Sequence, residues 1–110
     1  MAETMIAKIA VSGLPYRLDR PYDYGIPAEL ADKVIPGVRV EVPFARSNRR
    51  TEGIVLALAD KSAYDKLKPV QAVLDPEPLL TEGQIKLALW MHERFFCTVY
   101  EAVKAMLPAG

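Results

Sequence analysis

Short apolar runs separated by proline and glycine fill residues 4–75. This texture is typical of β-strands joined by tight turns. At residues 38–42, apolar and charged side chains alternate strictly, which predicts a strand with one buried and one solvated face. Further strands are predicted at residues 5–11, 22–26, 52–58 and 70–74, with a helical turn at residues 28–33.

The hydrophobic period becomes helical after the proline-rich segment at residues 75–78. From Thr81 onward, apolar residues recur at three- and four-residue spacing, and Thr81 with Gln84 forms a capping-box pair. A second short helix is predicted at residues 99–106, so the helical part spans residues 81–106. A small sheet hides its edges by curling. We therefore predict an α+β fold, with a small antiparallel, barrel-like sheet of about five to six strands followed by one or two C-terminal helices.

Composition limits the chain to one domain, residues 1–110, because soluble domains usually run to ~100–150 residues. With 51% hydrophobic and 25% charged residues it is globular. The single cysteine excludes an intramolecular disulfide and a cysteine-based zinc site. No apolar run approaches the ~20 residues that span a bilayer, and the first residues do not resemble a signal peptide. We expect a cytoplasmic protein with no membrane association.

The formal charge is zero, from 14 basic and 14 acidic residues. Proteins that cover many duplex phosphates carry a marked positive excess, so any nucleic-acid site here would be small. The sequence contains neither G-x-x-x-x-G-K-[ST] nor G-x-G-x-x-G. This excludes a self-contained ATPase or dehydrogenase, and we expect neither a cofactor nor a metal in this chain.

Two groups of residues on the predicted helix have side chains that could take part in catalysis or binding, but a structural role is the better interpretation of each. His92 and Cys97 have no identifiable orienting acid or base at catalytic spacing, so a small hydrolase or isomerase is a remote alternative. Trp90, Phe95 and Phe96 could form a stacking platform for bases. Their helical spacing favours a core position instead, at the seam between helix and sheet.

Three arginines, Arg46, Arg49 and Arg50, lie in the polar connection between the third and fourth predicted strands. Composition favours a solvated hairpin tip. The alternative is phosphate contact, because the guanidinium fork matches phosphate oxygens.

Tyr22-Asp23-Tyr24 is an unusual strand sequence, since alternation places both tyrosines on one side and Asp23 on the other. The acid is then either a solvent-facing edge charge or a placed hydrogen-bond acceptor. The residues alone leave both open.

In their order, these motifs resemble the N-terminal DNA-binding domain of the primosomal replication-restart helicases, the PriA family. The resemblance covers residues 5–108 and is carried by many short motifs in register. They read Tyr22-Asp23-Tyr24, Pro27, Gly37 through Phe44, Gly53-Ile54-Val55, Lys68, Val70 through Asp75, Pro78, Trp90 and Leu107-Pro108.

The resemblance implies a non-catalytic domain that captures the 3′ end of single-stranded DNA at stalled replication forks, without sequence preference. The implied pocket residues are Tyr22, Asp23, Ala45 and Lys68. Tyr24 is a second stacking candidate, and the loop arginines are candidates for phosphate contact. Two departures are visible: Tyr22 stands where phenylalanine is common, and Ala45 adds a methyl where glycine is frequent.

The same resemblance implies that the native chain continues past Gly110 into a helicase core that uses ATP, magnesium and zinc. Implied partners are fork DNA, that helicase core, and primosome and single-strand-binding proteins, in a nucleoid-associated bacterial setting. The competing hypothesis is a small-barrel protein-interaction module, whose arginine loop docks an acidic partner and which has no DNA role.

Overall fold

The computed structural model describes residues 6–45, 47, 49–60, 67–95 and 97–107. Within these residues, one antiparallel sheet of five strands, in the order β2-β1-β4-β3-β5, is followed by two helices. The strands are β1 (Ile6–Val11), β2 (Tyr22–Gly25), β3 (Arg39–Phe44), β4 (Arg49–Ala59) and β5 (Ala72–Val73), and the helices are α1 (Glu82–Phe95) and α2 (Val99–Met106).

The predicted fold class is confirmed, with five strands and two helices close to their predicted positions. The sheet is not a closed barrel. A parallel bridge between Gly25 and Pro69 joins β2 to the segment that leads into β5, at opposite ends of the strand order. The Gly25 amide donates to the Lys68 carbonyl (3.0 Å), and the Val70 amide donates to the Gly25 carbonyl (2.9 Å). The sheet is therefore curled, and Lys68 is brought to β2.

Three boundaries differ from the prediction. The connection between β3 and β4 is shorter, because β3 continues to Phe44 and β4 begins at Arg49. The last strand has two residues, Ala72–Val73, and the helical turn at residues 28–33 is a 3-10 turn over Ala28–Leu30. Residue 5 of the first predicted strand lies outside the described residues.

The two faces of the sheet bury separate cores, as strand alternation requires. The core inside the curled sheet consists of fully buried side chains from several strands. Val34 and Val70, which lie in connecting segments, pack against these side chains. These strand residues are Ala7, Ile9, Val11, Val40, Val42 and Val55. On the outer face, Ala10, Ile54 and Leu56 pack under the helices. The curled sheet has an open end, at which β2 begins and β3 ends.

Both helices have a capping box of side chains at the N-terminus. The Gln84 amide donates to Thr81 Oγ1 (3.2 Å) and the Thr81 amide donates to Gln84 Oε1 (2.9 Å), which confirms the predicted capping box. Thr98 and Glu101 form a second box at α2. No helix in the described part of the chain is both long and apolar enough to cross a membrane.

Candidate nucleic-acid interface

A pocket of about 350 Å³ opens at the end of the sheet where β2 begins and β3 ends. The residues that line it include Tyr22, Asp23, Ala45 and Lys68, the four that the resemblance implied. Phe44 and Leu67 supply apolar wall. The volume lies within the ~300–1,000 Å³ usual for small-ligand sites. Residues distant in sequence therefore converge on one cavity of suitable size.

A larger depression, of about 800 Å³, lies between β4 and the start of α1. Its lining, as far as the described residues go, includes Glu77 and Glu82 but neither lysine nor arginine. A polyanion such as DNA would be repelled there, because like charges meet without compensation. The smaller pocket is the better nucleic-acid candidate.

Tyr22 is half-buried and held at its rim. Its hydroxyl donates to the Leu18 carbonyl (2.9 Å), and its ring meets Phe44 edge to face, with centroids 5.1 Å apart. The Arg20 guanidinium lies 5.4 Å from the Tyr22 ring centroid, in cation–π geometry. Sequence reasoning missed Arg20. Its position two residues before Tyr22 in the sequence was the available signal.

Tyr24 lies mostly in the core but also lines the pocket, and its role as a second stacking residue stays a prediction. It is 4% exposed, and its hydroxyl donates to the Pro43 carbonyl (2.9 Å). Burial, together with nearby Tyr22, raises the pKa of Tyr24 to about 12. Of the two tyrosines that line the pocket, Tyr22 is the more accessible to a base.

Asp23 stands opposite Lys8 in the register of β1 and β2 and pairs with it across the strands. Lys8 Nζ lies 2.9 Å from Asp23 Oδ1, and the Asp23 side chain is 7% exposed. The carboxylate is therefore not a solvent-facing edge charge. Lys8 was missed because only the β1–β2 register reveals that it stands opposite Asp23.

Ala45 and Lys68 meet directly at the rim of the pocket. Lys68 Nζ donates to the Ala45 carbonyl (2.8 Å). Ala45 has a backbone φ of 64°, in the left-handed region that glycine adopts most easily. The ammonium group is thus fixed over the turn that follows β3.

The three arginines of the predicted β3–β4 connection lie in different environments. Arg46 lies outside the described residues, whereas Arg49 and Arg50 are in β4 rather than in a loop, which corrects the prediction. Arg50 Nε donates to Gln71 Oε1 (2.9 Å), and Arg50 Nη1 lies 3.4 Å from Glu41 Oε1. The Arg49 guanidinium has no hydrogen-bond or ion-pair partner in the described part of the chain.

His92 does have an acidic neighbour, contrary to the sequence expectation. Asp19 Oδ2 lies 3.0 Å from His92 Nδ1, which also contacts the Cys97 carbonyl at 2.8 Å. Both neighbours are acceptors, so Nδ1 carries the proton and donates. Asp19 Oδ2 further accepts from the Val99 amide (2.6 Å) at the start of α2. These contacts join the two helices through Asp19 and His92. Among the described residues, no cluster could hold a metal.

Trp90 and Phe95 are 51% and 61% exposed, so their prediction as core residues is wrong. Their rings pack edge to face with centroids 5.6 Å apart, and Arg94 lies over Trp90 at 6.0 Å. The physical reason is that α1 packs mainly on α2 instead of on the sheet. Small and aliphatic Ala88 and Ile85 make its buried face. Phe96 lies outside the described residues.

Comparison with known proteins gives consistent matches to one family. A family model described as the 3′ DNA-binding domain (3′BD) of PriA matches residues 8–108. Replication restart protein PriA of Bacillus subtilis is 35% identical over 106 residues, which cover 94% of this chain and 13% of that protein. The probable replication restart protein PriA of Mycobacterium tuberculosis is 37% identical over 93 residues, covering 84% of this chain and 14% of that protein.

The PriA of Chlamydia muridarum is 30% identical over 108 residues, covering 94% of this chain and 14% of that protein. The chain therefore spans about 13–14% of the length of the curated relatives it matches. The matched family model extends through the pocket, from β2 to Lys68 and on to α2. The chain belongs to the family of 3′ DNA-binding domains of PriA replication restart proteins.

Proposed function

We propose that the pocket binds the 3′-terminal nucleotide of a DNA single strand, without preference for its base, and that Asp23 accepts the hydrogen of the 3′-hydroxyl. The observation that carries this proposal is the convergence of Tyr22, Asp23, Ala45 and Lys68 on one cavity of about 350 Å³. A cavity of this size suits one nucleotide better than a duplex, whose recognition needs an extended basic surface.

Selectivity for an end follows from hydrogen-bond chemistry. Only the strand terminus carries a free 3′-hydroxyl, because every internal 3′ oxygen is esterified and has no hydrogen to donate. A hydrogen bond to a charged acceptor contributes roughly 1.5–3 kcal/mol. At about 1.4 kcal/mol per decade, this corresponds to about a ten- to hundredfold preference for an end.

A carboxylate next to DNA needs a counter-charge, and Lys8 supplies it at 2.9 Å. The pair presents no net charge to the strand, so Asp23 can accept a hydrogen bond without repelling the phosphates. Lys8 also orients the carboxylate.

Lys68 and Tyr22 bind the remaining parts of the terminal nucleotide. An ammonium group has three donors, and the Ala45 carbonyl occupies one of them. The others are directed to the phosphate on the 5′ side of the terminal nucleotide. The Tyr22 ring stacks on the base, which tolerates any sequence because every base has a π-face.

The proposal predicts that Asp23→Asn lowers affinity for a strand with a 3′-hydroxyl by about tenfold or more, because the charged acceptor is lost. The measurement is a fluorescence titration of the chain with matched oligonucleotides that end in a 3′-hydroxyl or a 3′-phosphate. Wild-type protein should prefer the hydroxyl, and Asp23→Asn should lose that preference.

Asp32→Asn is the matched control, because Asp32 is exposed, lies outside the pocket and changes the net charge equally. It should retain the preference for the hydroxyl. Thermal unfolding of both variants separates loss of binding from loss of fold. Equal binding of both oligonucleotides by the wild-type chain would overturn the proposal and favour the protein-interaction alternative.

We further propose that this domain serves a longer replication restart protein, in which it positions an ATP-driven helicase core at a stalled fork. The support is that the relatives are named replication restart proteins and that this chain matches only 13–14% of their length. The helicase core, its ATP, magnesium and zinc, and contacts with primosome and single-strand-binding proteins belong to that longer protein.

A further inference from the structure

A second depression, of about 510 Å³, adjoins the pocket and shares Phe44 and Ala45 as a common wall. Its other side is formed by residues 12–14, which follow β1, and by the first residues of β4, including Arg49 and Thr51. The end of β1 and the start of β4 lie at the same end of the sheet as Tyr22. The two cavities are therefore neighbours across one ridge.

Among the described residues that line this depression, the Arg49 guanidinium has no hydrogen-bond or ion-pair partner. Glu52 lies 4.0 Å from the Arg39 guanidinium, and Arg50 is held by Glu41 and Gln71. Arg49 has no such partner among the described residues. In the register of β3 and β4 it stands opposite Phe44, the residue that forms the shared wall.

The position of Lys68 defines where a strand would cross the ridge. Lys68 Nζ is fixed at 2.8 Å from the Ala45 carbonyl, so it lies at the wall between the two cavities. A strand whose terminal nucleotide fills the first cavity would bring its first phosphodiester linkage past Lys68. The next nucleotide would then enter the second cavity, and the following linkage would approach Arg49.

We propose that this second depression binds the penultimate nucleotide of the same DNA strand, and that Arg49 contacts the phosphate of the second linkage from the 3′ end. The strand thus runs with its 3′ end at Tyr22 and its 5′ side toward the β3–β4 turn. This inference rests on the proposed function, since it assumes that the terminal nucleotide occupies the first cavity.

The test uses short oligothymidylates that carry one neutral methylphosphonate at either the first or the second linkage from the 3′ end. Arg49→Gln should weaken binding of the unmodified strand about fivefold, because a solvent-exposed ion pair is lost. It should weaken the strand that is neutral at the first linkage by the same factor. It should leave the strand that is neutral at the second linkage unchanged, because the partner phosphate is already absent.

Arg50→Gln is the matched control, since it removes the same charge from the adjacent residue, which already has protein partners. It should affect all the strands alike and weakly. If Arg49→Gln weakens all the strands equally, or none of them, the second subsite is overturned while the preference for a 3′-hydroxyl stands. If the wild-type chain does not distinguish a 3′-hydroxyl from a 3′-phosphate, both proposals are overturned.

Discussion

Ala45 adopts a backbone conformation that its own side chain disfavours. A φ of 64° places its Cβ close to the following carbonyl, at a cost of roughly 1–2 kcal/mol. The turn after β3 nevertheless holds this conformation, with its carbonyl bound by Lys68. The rim of the pocket therefore stores a local strain, in a conformation that glycine adopts more easily than alanine.

Replacing Ala45 by glycine should relieve that strain. We expect Ala45→Gly to raise the free energy of unfolding by about 0.5–1 kcal/mol, after the greater flexibility of glycine in the unfolded chain is counted. Urea denaturation measures the change. Ala57→Gly, an exposed site within β4, is the control and should lose about 0.5–1 kcal/mol. Equal losses in the two variants would show that residue 45 carries no strain.

At the scale of elements, a buried carboxylate fastens the segment after β5 to β3. Asp75 Oδ2 accepts hydrogen bonds from the Arg39 amide (2.9 Å) and from Arg39 Nε (3.1 Å). Asp75 Oδ1 accepts a third hydrogen bond, from Arg39 Nη2 (2.9 Å). These hydrogen bonds hold the pKa of the Asp75 carboxyl below its ordinary value. Since β5 has two residues, this contact adds to the backbone hydrogen bonds that join the segment to β3, from the Gln71 amide to the Glu41 carbonyl and from the Leu74 amide to the Arg39 carbonyl.

This lowered pKa makes part of the stability depend on pH. The contribution of Asp75 to the free energy of unfolding is fully present above the pKa of an aspartate in the unfolded chain, about 3.9. It is lost as the pH falls through the lower pKa that Asp75 has in the folded protein. We expect Asp75→Asn to lower the free energy of unfolding by about 1–2 kcal/mol at pH 7, because the neutral amide cannot hold the guanidinium as strongly. The measurement is denaturant unfolding as a function of pH.

The difference between wild type and Asp75→Asn should shrink as the pH is lowered from neutrality into the acid range, where Asp75 itself becomes neutral. Glu77→Gln is the control, because Glu77 is exposed and no described contact depends on it. A stability difference that does not change with pH would show that the ion pair is not its source.

At the scale of the whole molecule, a formal charge of zero is compatible with a site that reads one strand end. In the proposed binding mode, few cations of the described residues face the DNA: Lys68 and Arg49 at the two cavities, with Arg20 beside Tyr22. Other basic groups are committed within the fold, among them Lys8 to Asp23 and Arg39 to Asp75. Positive charge is thus concentrated at the proposed site, while other basic side chains are paired with acidic ones.

The dependence of binding on salt should accordingly be shallow. Each single-strand phosphate contributes about 0.7 to the slope of log affinity against log salt, so two contacts predict a magnitude of about 1.4. Arg49→Gln should reduce this to about 0.7, because one phosphate contact is lost. Titrations at several salt concentrations measure the slope. A wild-type slope several times steeper would indicate a broad basic groove instead of two adjoining cavities.

The sequence by itself determined the strands, the two helices and their caps, because these depend on local alternation, helical spacing and capping chemistry. It also indicated Tyr22, Asp23, Ala45 and Lys68, through motifs in register with a known family. The burial of Tyr24 and the exposure of Trp90 were not predictable, since both depend on which element packs over each face.

Only the tertiary structure decided how the site is assembled. The pairing of Lys8 with Asp23 requires the β1–β2 register, and the approach of Lys68 to Ala45 requires the bridge between Gly25 and Pro69. Whether Arg49 or Arg50 has a side-chain partner among the described residues depends on the position that each one occupies along β4. These are contacts between residues far apart in the chain, and local sequence preference carries no information about their distance.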